Sequence, residues 1–300
     1  MKLINIRFFL FLVLVFFCFT LKAQRIKTLI LTGQNNHNWQ ISHMAMKQTL
    51  ENSGSFTVDI AISPEKGQDM SSFIIDFTPY KLVILDYNGD VWPEETQKRF
   101  VEYAKKGGGI VIYHAANNAF PLWKEYNEIT ALGGWENRNE TSGPWAYWKN
   151  DELIKDESPG NGGSHGSQHE FVLTARDTQH PIMRGLPKKW KHTKDELYDR
   201  MRGPGNIKSV LYTAFSDESV NGSGREEPLI FTVDYGKARI FHTMLGHAGN
   251  SMEDNIAMQC TGFQVTLLRG CEWAATGKVK LPVPTDFPTA ESTSVRPDYR

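Results

Sequence analysis

The chain has 300 residues, of which 40% are hydrophobic and 22% charged, and its formal net charge is −1 at pH 7. These values are ordinary for a globular protein, and the length allows one large domain or two small ones. The balanced charge disfavours nucleic acid as a partner, because non-specific binding depends on an excess of Lys and Arg facing phosphates.

The N-terminal segment, residues 1–23, has the three parts of a secretory signal peptide. Lys2 and Arg7 form a positive region, residues 8–21 are an apolar run, and Ala23 closes a small-residue cleavage site. The apolar run is too short to span a bilayer as a stable helix, and no later run reaches membrane length. Cleavage after Ala23 predicts a periplasmic or secreted protein without stable membrane insertion.

Strand and helix patterns alternate through the first hundred residues after this segment. Residues 26–33, 56–63, 80–89 and 110–116 predict strands, and residues 41–51 and 93–109 predict helices. Buried strands alternating with helices predict an α/β fold, with a doubly wound, mostly parallel sheet and helices on both faces, as in flavodoxin-like proteins.

The middle of the chain, residues 123–167, interleaves aromatic with polar residues and has little periodicity. We call this segment the Trp-rich insert. Long irregular inserts are usually functional loops or lids, and the plainer alternative is a surface loop whose aromatic side chains pack beneath it. We favour a functional role, because sugar sites combine aromatic faces with polar groups.

The later part of the chain returns to strand patterns and then ends in a helix. Strands are predicted at residues 170–175, 207–214, 228–236 and 237–247, the last two as a hairpin, and a closing helix at residues 254–275. With no repeat or linker in between, residues 24–280 form one predicted domain. Residues 281–300, which contain several prolines, are expected to form an extended or frayed tail.

The two cysteines that remain after cleavage both fall in the predicted closing helix. Cys260 and Cys271 would lie roughly 16 Å apart at the rise of an α-helix. A disulfide needs Cα atoms within about 7 Å of each other. We therefore expect two small core residues and no internal disulfide.

Polar residues that follow the predicted parallel strands are candidates for a site, because ligands bind at the carboxyl ends of such strands. They are His37, Trp39, Asn88, His114, Asn117 and His247. Histidine suits both proton transfer near neutral pH and metal ligation. For His242, alternation along its strand favours a buried structural role.

Two further clusters carry titratable groups. His165, His169 and Glu170 stand close together, but two histidines at i, i+4 need a helix to share a face, and this stretch is rich in Gly and Ser. Asp195 and Glu196 are adjacent, so in a strand at most one of them would enter a site. Glu196 would then share a face with Tyr198.

Several familiar cofactor and nucleophile motifs are missing from the sequence. It contains no P-loop and no G-x-G-x-x-G opening a helix, so no nucleotide cofactor is expected. It also lacks a G-x-S-x-G nucleophile elbow, which disfavours serine-hydrolase chemistry.

Several segments together resemble the ThuA-like (trehalose utilisation) family. They are ILTGQNNHNWQ, GGGIVIYHAANNAF, SQHEFVL, HPIMRGLP, HTKDELYDR, YGKARIFHTMLGHAGNSMEDN and GCEWAATGKV, which together cover residues 25–280. The resemblance implies the class I glutamine amidotransferase-like α/β fold. True amidotransferases carry a Cys in the turn after the fourth strand, where this chain has His114, so glutaminase chemistry through a thiolate is not expected.

The resemblance also implies a substrate class and a set of pocket residues. The family is associated with trehalose and related disaccharides, including oxidised keto-sugar intermediates. By resemblance, the pocket contains His37, His114, His169, Glu170, Asp195, Glu196 and His247. The chain departs from a common family pattern at Trp135-Glu136-Asn137, which leaves the exact substrate open.

Our leading hypothesis is an exported enzyme that acts on a glycoside or keto-sugar by proton transfer next to a carbonyl, as an isomerase or lyase does. The candidate catalytic residues are His37, His114, His169 and Glu196. The candidate substrate-binding residues are Trp39, Asn88, Asn117, Trp135, Glu170, Asp195, Tyr198 and His247. A divalent metal could assist by polarising the carbonyl.

Two alternative functions stay open. One is a non-catalytic carbohydrate-binding protein that uses the same pocket, and the other is a metal-dependent hydrolase centred on His165, His169 and Glu170. Each takes a small sugar or sugar derivative as its ligand. The sequence leaves the oligomeric state open, a homo-oligomer included.

Overall fold

The structure is a computed structural model that describes residues 24–300. The predicted signal peptide, residues 1–23, lies outside the described residues. Among residues 24–300, no helix combines the length and apolar character needed to cross a membrane.

The described part of the chain alternates strands and helices first and is richer in strands later. The helices are α1 (Trp39–Asn52), α2 (Glu94–Lys105), α3 (Lys124–Thr130), α4 (Ile256–Gln259) and α5 (Thr261–Thr276). The strands are β1 (Ile26–Thr32), β2 (Phe56–Ile62), β3 (Leu82–Leu85), β4 (Gly109–Tyr113), β5 (Trp145–Lys149), β6 (Glu152–Asp156), β7 (Ser164–His165), β8 (His169–Ala175), β9 (Lys189–Asp195), β10 (Tyr198–Asp199), β11 (Asn206–Phe215), β12 (Glu226–Tyr235) and β13 (Ala238–Thr243).

The main sheet joins a parallel half to an antiparallel half. Strands β2, β1, β3, β4 and β13 are neighbours in that order, and all four pairings are parallel. This is the 2-1-3-4-5 order of flavodoxin-like folds, with β13 in the fifth position. From β13 the sheet continues through β12, β11, β8 and β9 by antiparallel pairing. The predicted α/β fold, including the late hairpin, is confirmed.

Helices cover both faces of the parallel half. On β13, the ring of Phe241 lies against Gly270 of α5. The next residue, His242, directs its Nδ1 to the carbonyl of Thr130 at the end of α3, 2.8 Å away. Because successive side chains of a strand point to opposite faces, α5 and α3 lie on opposite sides of the sheet. His242 is fully buried, which agrees with the predicted structural role.

The Trp-rich insert is more regular than the sequence pattern suggested. It contains α3, the hairpin of β5 and β6, and β7, and β5 also pairs with β12, where Trp148 is opposite Glu226. The guanidinium of Arg202 lies 4.3 Å from the centre of the Trp145 ring and donates hydrogen bonds to the carbonyls of Ser158 and Gly160. Long-range contacts therefore order a segment whose local pattern is weak.

The C-terminal end differs from the prediction in two ways. The closing helix is divided into α4 and α5 at Cys260, whose ψ of 120° is extended rather than helical. The tail is docked rather than frayed, since Cys260 forms a β-bridge with Val295, and the hydroxyl of Tyr299 donates to the carbonyl of Met252 at 3.1 Å. Both Cys260 and Cys271 are free and buried.

Asp86 is a fully buried carboxyl at the carboxyl end of β3. It accepts hydrogen bonds from the Ser42 hydroxyl at 2.5 Å and the Asn35 amide at 3.2 Å. Burial raises the pKa of Asp86 to about 8, although these hydrogen bonds favour the carboxylate. The folded protein therefore holds a proton on Asp86 at neutral pH that an unfolded chain would release.

We expect this proton to make stability fall with rising pH. A raised pKa in the folded state stabilises the protein below the ordinary pKa of 3.8, and that stability is lost as pH rises through about 8. Asp86→Asn keeps the shape of the protonated acid but cannot titrate. Between about pH 6 and about pH 8, the unfolding free energy of the wild-type protein should therefore fall by ~2 kcal/mol more than that of the variant. Urea unfolding of both proteins at the two pH values measures this, and equal pH dependence in the two would contradict it.

Candidate functional site

Four side chains from separate loops converge at the carboxyl edge of the parallel strands. His37 follows β1, His114 follows β4, His247 lies beyond β13, and Glu196 follows β9. One ligand atom from each residue lies within 4.8 Å of all the others. Among residues 24–300, no other group of three or more His, Cys, Asp or Glu residues has a geometry that could hold a metal ion. We call these four residues the histidine–glutamate cluster.

Glu196 is the centre of the cluster. Its Oε2 lies 3.2 Å from Nε2 of His37 and 3.6 Å from Nε2 of His114, and its Oε1 lies 3.2 Å from Nδ1 of His247. Burial opposes ionisation of Glu196, but the rings of His114, His247 and His37 beside it hold its pKa far below the ordinary range. The cluster therefore contains one carboxylate anion that three imidazole rings surround.

The surroundings of two histidines show which ring nitrogen faces Glu196. Nδ1 of His114 lies 2.7 Å from the carbonyl of Met244, which can only accept, so Nδ1 carries a proton and Nε2 is the atom that faces Glu196. Nδ1 of His37 lies 3.2 Å from the side-chain oxygen of Asn36, and its Nε2 faces Glu196. Burial lowers the pKa of His37 to about 4, so this ring is neutral at physiological pH.

His247 provides the clearest test of whether a cation fits. Its Nδ1 is buried and has no hydrogen bond of acceptable geometry within the described chain, although Glu196 Oε1 is 3.2 Å away. An unpaired buried nitrogen costs about 1–3 kcal/mol, and coordination to a cation would satisfy it. Three imidazoles and one carboxylate are a donor set suited to Zn²⁺ and similar divalent metals.

Tyr198 occupies the His114 side of the cluster. The two rings are stacked with centroids 4.5 Å apart, and the tyrosine hydroxyl lies 3.2 Å from His114 Nε2. A metal ion bound to His114 would require this hydroxyl to turn away. The side chain of Asn118 lies within hydrogen-bond reach of the tyrosine oxygen.

The backbone of His114 is strained. Its φ of 45° lies in the left-handed region, where a residue other than glycine costs of order 1–3 kcal/mol. The turn ends β4 and starts a short 3-10 helix, His114–Asn118. This sharp change of direction aims the imidazole ring at Glu196, and such strain is typical of functional sites.

Asp195 lies behind the cluster and holds two of its loops together. Its Oδ1 accepts from the backbone N–H groups of Glu196 at 2.8 Å and His247 at 3.0 Å. Its Oδ2 accepts from the N–H of Gly246 at 2.7 Å and from Nε2 of His192 at 2.7 Å. Asp195 is fully buried and contacts the cluster through backbone N–H groups. It therefore positions cluster residues and is not placed to contact a substrate.

Two adjoining cavities open from the cluster. The inner cavity, about 460 Å³, is lined by His37, Trp135, His165, Glu196, Tyr198 and His247, among others. The outer cavity, about 500 Å³, is lined by Trp39, Phe120 and several amide side chains. The two cavities share the residues Asn36, Asn88, Asn118 and Glu136. The site is therefore an extended depression with two compartments.

A larger cavity, about 630 Å³, lies at the other end of the strands. Lys81 and Gly108, which precede β3 and β4, are among its lining residues. It has no histidine in its wall, and ligands of doubly wound sheets bind at the carboxyl ends of the strands. We therefore assign the candidate site to the histidine–glutamate cluster and its two cavities.

Most of the predicted site residues lie at this depression. His37, His114, Glu196 and His247 form the cluster, and Asn88, Trp135 and Tyr198 line the inner cavity. Trp39 lines only the outer cavity. Asn117 is fully buried, lines neither cavity, and has its amide nitrogen 3.2 Å from Nε2 of His242.

His169 and Glu170 lie away from the cluster and both cavities. Nδ1 of His169 bonds to the carbonyl of Ser167, and Glu170 is exposed and lies 3.8 Å from the ammonium of Lys191. His165 ends β7 and His169 begins β8, with a bend at Ser167 between them, and among residues 24–300 neither belongs to a group whose geometry could hold a metal ion. The structure therefore does not bring His165, His169 and Glu170 together around one ion, and the hydrolase hypothesis loses the site on which it was based.

Three residues at the boundary of the two cavities received no role from the sequence: Asn36, Asn118 and Glu136. Asn118 follows Asn117 in the 3-10 helix, where successive side chains point about 120° apart at three residues per turn. The sequence places both amides after β4 but does not tell which of them faces the site. The sequence signal for Glu136 is its place in Trp135-Glu136-Asn137, where the chain departs from a common family pattern.

Comparison with known proteins gives a consistent result. Residues 27–274 match the ThuA family, described as trehalose utilisation. The fold is similar to that of a ThuA-like protein from Parabacteroides merdae, with 70% sequence identity, coverage of 92% of this chain and 99% of that chain, and a TM-score of 0.92. A ThuA-like protein from Bacteroides uniformis shares 19% identity over 86% of this chain and 94% of that chain, with a TM-score of 0.50. No curated protein matches the chain.

Proposed function

The chain belongs to the ThuA family, described as trehalose utilisation, and from this membership and the site we propose a metal-dependent enzyme that acts on a keto-sugar derivative. The reaction class is proton transfer at a carbon next to a carbonyl, as in an isomerase or a lyase. One observation carries the proposal: four ligand atoms lie within 4.8 Å of one another, and the buried Nδ1 of His247 has no hydrogen-bond partner in the described chain.

The cluster would hold the metal ion through His37, His114, His247 and Glu196. A bound divalent cation supplies Lewis acidity, which polarises a substrate carbonyl and makes the hydrogens on the adjacent carbon more acidic. A keto-sugar offers both the carbonyl and such a hydrogen, whereas an unmodified glycoside offers neither. This difference in chemistry favours an oxidised sugar as the substrate.

His165 is the basic group that remains in the inner cavity when the cluster binds metal. Its Nδ1 lies 2.8 Å from the carbonyl of Gly166, so that nitrogen carries the proton and Nε2 is free to accept one. Nε2 lies 3.9 Å from Oε1 of Glu196, so this nitrogen is beside the cluster. In this mechanism, His165 removes the proton next to the carbonyl.

Aromatic and amide side chains of the inner cavity suit a sugar ring. The ring of Trp135 packs edge-on against Tyr198, with centroids 4.8 Å apart, so its orientation is fixed. Asn36, Asn88 and Asn118 line the same cavity and offer both donors and acceptors to hydroxyl groups. An aromatic face beside several amides is an arrangement that fits the two sides of a pyranose.

The test is to incubate the purified protein with trehalose, its 3-keto derivative and other keto-glycosides, and to follow products by mass spectrometry and NMR. We expect conversion of keto-sugars only, loss of conversion with a chelator, and recovery when metal is restored. Hydrolysis of unmodified glycosides would favour a metal-dependent hydrolase instead. Sugar binding without any conversion would favour a carbohydrate-binding protein.

His165→Ala should reduce kcat for a keto-sugar by about 100-fold or more while metal content stays unchanged, because general-base catalysis contributes 10²–10⁴-fold. His169→Ala is the matched control, since this histidine lies outside both cavities. Steady-state kinetics and metal analysis of the two variants measure the effect. Equal activity in both variants would contradict the role of His165.

We also propose export from the cell, on the pattern of residues 1–23: the positive Lys2 and Arg7, the apolar residues 8–21 and the cleavage site at Ala23. N-terminal sequencing of the protein from a cell-envelope fraction should begin at Gln24. A protein that keeps its N-terminus and stays in the cytoplasm would contradict export.

A further inference from the structure

Glu136 lies at the boundary between the two cavities of the site. It lines the inner cavity, which contains the histidine–glutamate cluster, and also the outer cavity beside it. The side chain is exposed, and within the described chain no hydrogen bond or ion pair holds its carboxyl group. A carboxyl group that is free to exchange protons therefore stands where a ligand would pass from one compartment to the other.

The backbone at this position is strained. Trp135, Glu136 and Asn137 have φ values of 53°, 46° and 61°, three consecutive left-handed residues of which none is glycine. Each such residue costs roughly 1–2 kcal/mol, and left-handed residues normally occur singly. Strain of this kind persists only where surrounding contacts impose it, and it concentrates at functional sites.

The contacts that impose the strain come mainly from Arg138. Its buried guanidinium donates to the carbonyls of Asn118 and Gly134 through Nη1, at 2.8 and 2.9 Å, and to the carbonyl of Ala119 through Nη2, at 2.8 Å. The N–H of Trp135 donates to the carbonyl of Gly162 at 2.7 Å. The backbone of the turn is thus held in place, which fixes the positions from which Trp135 and Glu136 reach the cavities.

The outer cavity has the character of a second sugar subsite. It is lined by the aromatic side chains of Trp39 and Phe120, by the amides of Gln40 and Asn88, and by the charged residues Glu65, Lys66 and Asp90, and it holds about 500 Å³. Its aromatic and amide residues are of the same kinds as those of the inner cavity. A substrate with two linked parts could place one part in each cavity, and the oxygen that links them would then lie near Glu136.

This inference rests on the proposed function: we propose that Glu136 is a catalytic acid that protonates the departing oxygen of a two-part keto-sugar substrate. His165 takes the proton from the carbon next to the carbonyl, and the electron pair of that C–H bond forms a carbon–carbon double bond. The C–O bond on the next carbon breaks, its electron pair goes to the oxygen, and the Glu136 carboxyl donates a proton to it. Solvent then exchanges protons with both residues, so the reaction is an elimination that needs no redox partner.

The test compares Glu136→Gln with the wild-type protein on keto-glycosides that differ only in the leaving group. A sugar or alkyl alcohol needs a proton to depart, whereas 4-nitrophenolate is stable as an anion. We expect kcat to fall by about 100-fold or more for the sugar and alkyl substrates, but by less than about 5-fold for the 4-nitrophenyl substrate. Metal content and KM should change little.

Glu157→Gln is the control, because Glu157 is an exposed carboxylate of the same insert that lines neither cavity. Equal losses in Glu136→Gln for all leaving groups, or no loss at all, would overturn the role of Glu136. A wild-type protein that isomerises keto-sugars without releasing the second part would overturn this role and leave the proposed function standing. A wild-type protein that converts no keto-sugar would overturn both.

Discussion

Glu196→Gln is expected to weaken the binding of a divalent metal ion by about 100-fold or more, because it removes the only negative charge among the four ligands. Isothermal titration with Zn²⁺ or Mn²⁺, and metal analysis after dialysis, measure the loss. Glu170→Gln is the matched control, since Glu170 is exposed and pairs with Lys191 outside the cluster.

Thermal unfolding gives a second measure of the same prediction. A ligand that binds only the folded state raises stability by about 2.7 kcal/mol at a concentration 100 times its Kd. Metal addition should therefore raise the Tm of the wild-type protein and of Glu170→Gln, but not that of Glu196→Gln. If all three proteins bind metal equally, the metal lies elsewhere and the assignment of the cluster is wrong.

Asp195→Asn is expected to lower the free energy of unfolding by ~3 kcal/mol, because it breaks a buried ion pair and leaves N–H groups without an acceptor. Burial opposes protonation of His192, but Cys260 and Asp195 beside it raise its pKa to about 10, so a positive ring faces the Asp195 carboxylate. Asparagine would turn a donor toward His192 and the N–H of Gly246, which both donate now. Denaturant unfolding measures the change.

The same substitution should also weaken metal binding by 10–100-fold, the usual effect of removing a group that orients metal ligands. The reason is that Asp195 fixes the backbone of both Glu196 and His247. Asp151→Asn, on an exposed turn, is the control and should change stability by less than about 0.5 kcal/mol. If Asp195→Asn were as stable as this control and bound metal normally, Asp195 would not be the support described above.

Much of the fold could be predicted from local sequence patterns. The strands β1, β3 and β4 are short apolar runs because each is buried on both faces, and α2 has acidic residues in its first turn and Lys105 in its last. The hairpin of β12 and β13 follows from two strand patterns around Gly236. Each of these elements has a recognisable local pattern, because a regular strand or helix buries side chains at a fixed spacing along the sequence.

Other parts of the fold could not be predicted, because distant contacts determine them. β5 forms a local hairpin with β6, but it is joined to the main sheet by pairing with β12 and by the Arg202 guanidinium over Trp145, and these two partners are far away in sequence. The break at Cys260 likewise depends on the tail, which pairs there through Val295. Local patterns do not contain such partners.

For the site, position relative to the strands was informative and spacing alone was not. His37, His114 and His247 reach the cluster because parallel strands bring their carboxyl ends to one edge. Glu196 follows β9 in the antiparallel half, and its place was implied by family resemblance. The i, i+4 spacing of His165 and His169 would place both rings on one face only in a helix. This part of the chain is not helical, and of the two only His165 lines the inner cavity.

The most direct measurement is anomalous diffraction from crystals of the protein soaked with Zn²⁺ or Mn²⁺. We predict one strong anomalous peak within about 2.0–2.3 Å of Nε2 of His37, Nε2 of His114, Nδ1 of His247 and a carboxylate oxygen of Glu196. The Tyr198 hydroxyl should have turned from His114 toward Asn118. A crystal with no peak at these four atoms, or with its metal bound elsewhere at full occupancy, would contradict the metal centre on which the proposed function rests.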